Sequence, residues 1–222
     1  MSPPPASTAS RPAPPPTKPV LVAEHDRHAI DGESALARAA RVFATRSHSR
    51  QRRDSDGAPF IEHPLEVAGL LRRAGCSDVV VAAGLLDDVL ETTPVSADEL
   101  TACFGADVAA LVRAVSDDAH VGSYRDRKQL LREQVRRIGG DAAVLFAADK
   151  IAKVREISAA GARGATDASG ARRGHAESRR EHHRRVQLEH YHESLELLRT
   201  VAPHHPLVHR LADELAGVPA HA

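Results

Sequence analysis

The feature that most restricts the fold is the apolar run VVVAAGLL at residues 79–86. It is hydrophobic around the whole helical circumference, which is typical of a buried central helix rather than of a surface helix. Three carboxylates follow it directly, Asp87, Asp88 and Glu91 in the stretch LLDDVLETT. Unpaired buried carboxylates are strongly destabilising and repel one another. The run therefore predicts a central helix whose acidic end is neutralised by a metal ion, by a basic side chain or by contact with water.

Helical periodicity continues along the rest of the chain, and no segment alternates in the manner of a β-strand. Ser, Pro and Gly stand where helix ends are expected. The predicted helices cover residues 32–48, 63–75, 78–93, 96–105, 106–117, 124–139, 141–157, 177–202 and 205–217. Between the last long helices, residues 158–176 are rich in Gly, Ala, Ser and Arg and predict a mobile loop. The predicted fold class is all-α.

The N-terminal segment is rich in Pro, Ala and Ser and has no hydrophobic core of the signal-peptide kind. It predicts a disordered tail over residues 1–24, followed by one domain over residues 25–218. A Pro-rich tail is also a candidate docking segment for a protein partner.

Charge and composition exclude several classes of partner. The 30 basic residues balance 30 acidic ones, so the bulk charge favours neither nucleic acid nor a membrane surface. No apolar stretch reaches the roughly 18 residues that a membrane-spanning helix needs. The two cysteines, Cys76 and Cys103, are far apart and suit a reduced, cytoplasmic protein. We expect a cytoplasmic protein that binds neither nucleic acid nor a membrane.

Two further polar residues interrupt apolar helices. Asp149 lies in AAVLFAADKIAKV, and His63 lies at a helix start in PFIEHPLEV. Taken alone, Asp149 suits a buried ion pair with Lys150, Lys153 or an arginine, and His63 suits a capping or packing role. Taken with the acid pair Asp87–Asp88, they suit a four-ligand site of nitrogen and oxygen donors. The spacing leaves both interpretations open.

Four segments in order resemble the HD-domain superfamily, and within it the RelA/SpoT-type hydrolases, especially the single-domain small alarmone hydrolases. Residues 48–68, HSRQRRDSDGAPFIEHPLEVA, resemble the H-x-x-Q-x-R…G-x-P-Y-I-x-H-P block of that family. Residues 76–93 resemble its A-A-L-L-H-D-x-x-E-D-T helix, and residues 97–118 resemble the stretch that follows. Residues 147–157, AADKIAKVREI, resemble L-A-D-[KR]-x-x-N-x-R. The resemblance implies an HD-domain helical bundle.

The resemblance also implies an activity and a set of site residues. The family removes the 3′-pyrophosphate from guanosine tetra- or pentaphosphate with the help of Mn²⁺. The implied metal ligands are His63, Asp87, Asp88 and Asp149; the implied water-activating pair is Glu91 and Thr92; the implied guanine-stacking residue is Arg53, or alternatively Arg52; and the implied phosphate-neutralising residues are Lys150 and Lys153.

Three of these positions depart from the family pattern. Asp87 stands where the family has the His of its His-Asp pair, Thr92 stands at the second catalytic acid, and Lys153 stands at an Asn. An extra carboxylate favours Mn²⁺, Mg²⁺ or Ca²⁺ over zinc or iron. Alternatively, the Lys153 ammonium supplies the positive charge in place of a metal. The sequence thus leaves open a metal-dependent hydrolase and an inactive pseudo-hydrolase that senses a nucleotide or binds a partner.

Overall fold

The computed structural model describes residues 32–118, 121–166 and 174–218, with the backbone alone for residues 161–166, 174–178 and 180. The predicted tail over residues 1–24 and the start of the predicted domain lie outside these ranges. The described residues form ten helices: α1 (Ala35–Ser47), α2 (Glu62–Arg73), α3 (Asp78–Leu86), α4 (Val89–Thr92), α5 (Ala97–Phe104), α6 (Ala106–Val115), α7 (Tyr124–Ile138), α8 (Gly140–Thr166), α9 (Gly174–Val201) and α10 (Pro206–Ala216).

The all-α fold class is confirmed, because the described residues contain helices and no strand. The only strand-like pairing in these residues is a single antiparallel bridge between Arg52 and Pro59. No helix in the described part of the chain has both the length and the apolar character that a membrane crossing requires.

The predicted central helix occupies the middle of the core. Every residue of α3 from Val80 to Leu86 is buried, and α3 packs against α1, α2 and α6. Helix α8 is the second buried element, since residues 142–148 are all buried, and it packs against α2, α9 and α10. Ser77 begins α3 by accepting a hydrogen bond from the backbone N–H of Val80 at 3.5 Å, as an N-cap residue does. Helices α2, α3 and α8 therefore hold the residues of the candidate site on a rigid frame.

The prediction of one helix over residues 78–93 is wrong in its second half. Helix α3 ends at Leu86, and a short α4 begins at Val89. Between them, the Asp87 carboxylate accepts a hydrogen bond from the backbone N–H of Asp88 at 2.9 Å. An Asp side chain that binds a neighbouring N–H competes with the helical hydrogen bond and favours a turn. The break therefore falls at the two acids themselves and turns them toward α2 and α8.

The prediction of a loop over residues 158–176 is also wrong at both ends. Helix α8 continues to Thr166, and α9 already begins at Gly174. Alanine is the strongest helix former, and the alanines between residues 159 and 165 offset the two glycines among them. Only the middle of the predicted loop, residues 167–173, lies outside the described residues.

We predict that Gly84→Ala lowers the free energy of unfolding by about 1–3 kcal/mol, the usual cost of overpacking a core. A Cβ atom at Gly84 would meet Leu71 Cδ1 at 2.5 Å and Val67 Cγ1 at 3.1 Å, where α2 crosses α3. Urea denaturation followed by circular dichroism measures the change.

Gly69→Ala is the matched control, because a Cβ atom there meets only the flexible guanidinium of Arg73, at 3.2 Å. It is expected to leave stability unchanged or to raise it by about 1 kcal/mol, since alanine favours a helix more than glycine does. Equal effects of the two substitutions would contradict the close packing at Gly84.

Candidate metal centre

Three of the predicted ligands converge. One ligand atom from each of His63, Asp87 and Asp149 lies within 4.8 Å of the other two. Helix α2 supplies His63, the end of α3 supplies Asp87, and α8 supplies Asp149. His63 and Asp87 are buried. Burial raises the pKa of the Asp87 carboxyl well above its ordinary value, and the neighbouring charges of Asp88 and Asp149 raise it further.

Asp88, the fourth predicted ligand, is paired differently. Its Oδ2 atom lies 3.4 Å from His63 Nε2 and 3.5 Å from Lys153 Nζ. That oxygen is shielded from solvent and accepts no hydrogen bond from any described residue. Burial acts to raise the pKa of Asp88, but the charges of Lys153 and His63 outweigh it and lower that pKa. Conversely, burial acts to lower the pKa of Lys153, and the charges of Asp88 and Asp149 outweigh it and raise that pKa.

Asp149 has two basic partners of its own. His63 Nε2 lies 3.1 Å from one carboxylate oxygen, and the Lys150 ammonium donates a hydrogen bond to the other. Lys150 is buried, with its ammonium 4.3 Å from the centre of the Phe146 ring and 5.9 Å from that of Tyr191. Burial acts to raise the pKa of Asp149, but the charges of Lys150 and His63 hold it well below its ordinary value. Lys150 therefore contacts Asp149 from the side of the core.

These contacts identify the basic side chains that lie next to the carboxylates of the site. The two lysines of α8 supply positive charge to the acids, with Lys150 at Asp149 and Lys153 at Asp88. His63 lies between the two carboxylates and approaches both. Asp87 has no such ion pair among the described residues, and burial raises the pKa of its carboxyl, in contrast to those of Asp88 and Asp149.

Glu91 lies at the edge of this cluster. Its carboxylate accepts a hydrogen bond from the backbone N–H of Asp117 at 2.8 Å. The residue is exposed to solvent, but protein atoms close to its carboxyl group displace part of the surrounding water, and this desolvation raises its pKa to about 7. The charge of Lys128 acts to lower the pKa of Glu91, whereas the charges of Asp88 and Asp117 act to raise it. A carboxyl group with a pKa near neutrality is suited to proton transfer.

Thr92 is exposed and faces its own helix. Its hydroxyl donates a hydrogen bond to the backbone carbonyl of Asp88 at 2.9 Å. The backbone carbonyl of Thr92 accepts a hydrogen bond from the Gln51 amide at 2.7 Å, and the other end of Gln51 lies 2.8 Å from His48 Nδ1. Thr92 thus contributes contacts that hold α4 in place, and it brings no titratable group.

Arg53 is held by two carboxylates. Its guanidinium donates hydrogen bonds to Asp56 at 2.7 Å and to Glu62 at 3.1 Å, and only 13% of its side chain is exposed. Arg52, the alternative for this role, is exposed, and its backbone forms the bridge to Pro59. The two arginines therefore differ in exposure and in contacts, and Arg53 is the one that two carboxylates orient.

Sequence reasoning missed the residues that support the site. His48 is buried and lies with its ring centre 4.8 Å from that of Phe60, while Gln51 connects it to α4. The signal was present, since both residues belong to the H-x-x-Q part of the first motif. Lys128 and Asp117, which flank Glu91 and form an ion pair at 2.8 Å, had no such signal.

The donor set fits a divalent cation. One imidazole nitrogen and two carboxylate oxygens close together can bind Mn²⁺, Mg²⁺ or Zn²⁺ in a single site. The high proportion of oxygen donors suits harder cations such as Mn²⁺ and Mg²⁺.

The chain is similar to known proteins in sequence and in fold. A family model for the HD domain matches residues 40–172. The chain is 39% identical over 132 residues to guanosine-3′,5′-bis(diphosphate) 3′-pyrophosphohydrolase MESH1 of Homo sapiens, covering 58% of this chain and 73% of that protein. It is 47% identical over 74 residues to a probable guanosine-3′,5′-bis(diphosphate) 3′-pyrophosphohydrolase of Synechocystis, covering 33% of this chain and 10% of that protein. A solved structure described as a metazoan ortholog of SpoT that hydrolyses ppGpp shares the fold, with a TM-score of 0.66, 24% identity, and coverage of 84% of this chain and 98% of that one.

Proposed function

Because the chain belongs to the HD-domain family, we propose that it is a metal-dependent phosphohydrolase that acts on the 3′-pyrophosphate of a guanosine polyphosphate. The observation that carries the proposal is the convergence of His63, Asp87 and Asp149 beside a carboxylate, Glu91, whose pKa is raised to about 7. The similarity to named guanosine-3′,5′-bis(diphosphate) 3′-pyrophosphohydrolases supports the choice of substrate class.

In this proposal His63, Asp87 and Asp149 hold Mn²⁺. A divalent cation bound there supplies Lewis-acid activation of the scissile phosphate and of the attacking water. Lys150 keeps Asp149 ionised and in place from the core side, so it acts on the ligand rather than on the nucleotide. This arrangement orients the ligands before the nucleotide binds.

Glu91 orients the water and accepts its proton as the water oxygen attacks the phosphorus attached to the ribose 3′ oxygen. The bond between that phosphorus and the 3′ oxygen breaks, pyrophosphate leaves, and the proton passes to the 3′ oxygen. Arg53 binds the purine with the face of its guanidinium, because Asp56 and Glu62 occupy its edge. Lys153, whose side chain is partly exposed beside Asp88, neutralises the charge of the phosphate groups.

The test is pyrophosphate release from guanosine tetraphosphate in the presence of Mn²⁺, measured across a range of pH. Glu91 must be ionised to accept a proton, so the rate is expected to rise with pH and to level off above its pKa of about 7. Glu91→Gln should remove this rise and lower the rate by about 10²-fold, the lower end of the usual contribution of a general base.

Glu99→Gln is the control, since it makes the same chemical change on the exposed face of α5. It is expected to leave the rate and its pH dependence unchanged. A rate that does not depend on pH around neutrality, or an active Glu91→Gln variant, would contradict the role of Glu91.

A second candidate function is a nucleotide-binding module without turnover. The specific observations in its favour are the ion pair of Lys153 with Asp88 and the replacement of a second catalytic acid by Thr92. Calorimetric binding of guanosine tetraphosphate without pyrophosphate release would favour this candidate. A partner for the Pro-rich tail and a cytoplasmic location stay predictions from the sequence.

A further inference from the structure

Lys153 occupies a position that bears directly on metal binding. Its ammonium lies 3.5 Å from Asp88 Oδ2 and 5.6 Å from the centre of the Phe60 ring. Only 27% of the lysine side chain and 15% of the Asp88 side chain are exposed. An aromatic face and a carboxylate together hold an ammonium more firmly than a surface ion pair does. Lys153 is therefore a fixed positive charge beside the candidate metal centre.

The group of donors that lie close enough to share one ion contains His63, Asp87 and Asp149 and leaves out Asp88. The excluded carboxylate is the one that contacts Lys153. Two cations that approach the same carboxylate repel each other, and this repulsion is strong where solvent screening is weak. A divalent ion that used Asp88 would have to displace the ammonium from its position.

We infer that Lys153 is a resident cation that competes with a divalent metal ion for Asp88, so that this chain binds metal through His63, Asp87 and Asp149 alone. Metal affinity is then limited by Lys153, and a neutral residue at that position releases Asp88 to become a fourth ligand. The inference rests on the proposed function only in its choice of the metal centre, and its test does not depend on turnover.

The experiment is Mn²⁺ titration calorimetry on the full chain and on Lys153→Asn. The variant is expected to bind Mn²⁺ about tenfold more tightly or better, because it loses a nearby positive charge and gains a ligand. Lys153→Met, which keeps the length of the side chain and removes its charge, should show the same gain. Circular dichroism checks that each variant is folded, and the second variant keeps the test open if the first is not.

Arg155→Gln is the matched control. It removes a positive charge from the same helix, but Arg155 pairs with Glu66 and Glu214 rather than with Asp88. We expect its Mn²⁺ affinity to stay within about twofold of the native value, because two carboxylates outside the ligand set already neutralise the Arg155 guanidinium.

A double variant separates competition from a general effect of charge. With Lys153→Asn and Asp88→Asn combined, the net charge of the pocket is the native one and the other three donors remain. Its affinity is expected to return to within about threefold of the native value, so the gain in Lys153→Asn depends on Asp88.

Three outcomes overturn the inference. The first is an unchanged or weaker Mn²⁺ affinity in both Lys153 variants. The second is a double variant that keeps the gain, which would show that Asp88 is not involved. The third is a double variant that binds about tenfold more weakly than the native chain, which would make Asp88 a native ligand. Failure to hydrolyse guanosine tetraphosphate, with the expected Mn²⁺ affinities, would overturn the proposed function and leave this inference standing.

Discussion

Asp149→Ala is expected to lower the free energy of unfolding by about 3–5 kcal/mol, the usual cost of removing one partner from a buried ion pair. The substitution leaves the Lys150 ammonium inside the core, where only 5% of that residue is exposed and the Phe146 and Tyr191 rings lie close to it. It also removes one of the three donors that converge on the candidate metal centre. Urea denaturation measures the stability, and Mn²⁺ titration calorimetry should detect no binding.

The control combines Asp149→Ala with Lys150→Met. Replacing both partners of a buried ion pair with apolar groups is often nearly neutral, so most of the lost stability should return. Mn²⁺ binding should stay absent, because the carboxylate is still missing. A loss below about 1 kcal/mol in the single variant would show that the Lys150 ammonium reaches water when its partner is removed.

The second large effect is a gain of activity. Combining Asp87→His, Thr92→Asp and Lys153→Asn is expected to raise kcat/KM for guanosine tetraphosphate by about 10²–10⁴-fold, the usual contribution of a positioned acid–base group. Thr92 is exposed, and its hydroxyl contacts the backbone carbonyl of Asp88 and the side-chain oxygen of Gln51, so a carboxylate fits there without disturbing the core. Replacing Lys153 removes one positive charge from the phosphate site, and it also releases Asp88 from its ion pair. The measurement is pyrophosphate release with Mn²⁺ present.

Adding Glu91→Gln to the triple variant is the control, and it should abolish the gain, because the water would lose its proton acceptor. A triple variant that binds Mn²⁺ and guanosine tetraphosphate but releases no pyrophosphate would contradict the hydrolase proposal. It would favour the binding module instead, since the chemistry would then be absent for reasons outside these three positions.

The fold was predictable because the periodicity and the ends of helices depend on residues that are close together in the sequence. The all-round apolar run at residues 79–86 predicted a buried helix, and in the structure Val80 to Leu86 are all buried around α3. Serine and glycine placed the helix ends closely, as with the Ser77 cap and Gly105, whose φ of 88° is one that residues with a side chain rarely adopt. The break after Leu86 was not predicted, because it depends on a hydrogen bond from one aspartate to its neighbour.

The site was predictable only in part. The spacing of acids and histidine, together with the family motifs, predicted His63, Asp87 and Asp149, which the fold brings together. The same reasoning placed Asp88 among the ligands, whereas in the structure it contacts Lys153. The roles proposed for these residues in metal binding and catalysis stay predictions.

The sequence by itself determined the helices, the core and the type of donor at the site, because each of these follows from the identity and spacing of nearby residues. The tertiary structure decided which lysine lies next to which aspartate. Lys150 and Lys153 lie three residues apart on α8. Lys150 contacts Asp149 on the same helix, whereas Lys153 contacts Asp88, which follows the end of α3. The pair of Lys150 and Asp149 joins neighbours in the chain, whereas the pair of Lys153 and Asp88 depends on a distance of a few ångströms between side chains that are far apart in the chain. That geometry exists only once α2, α3 and α8 have packed together.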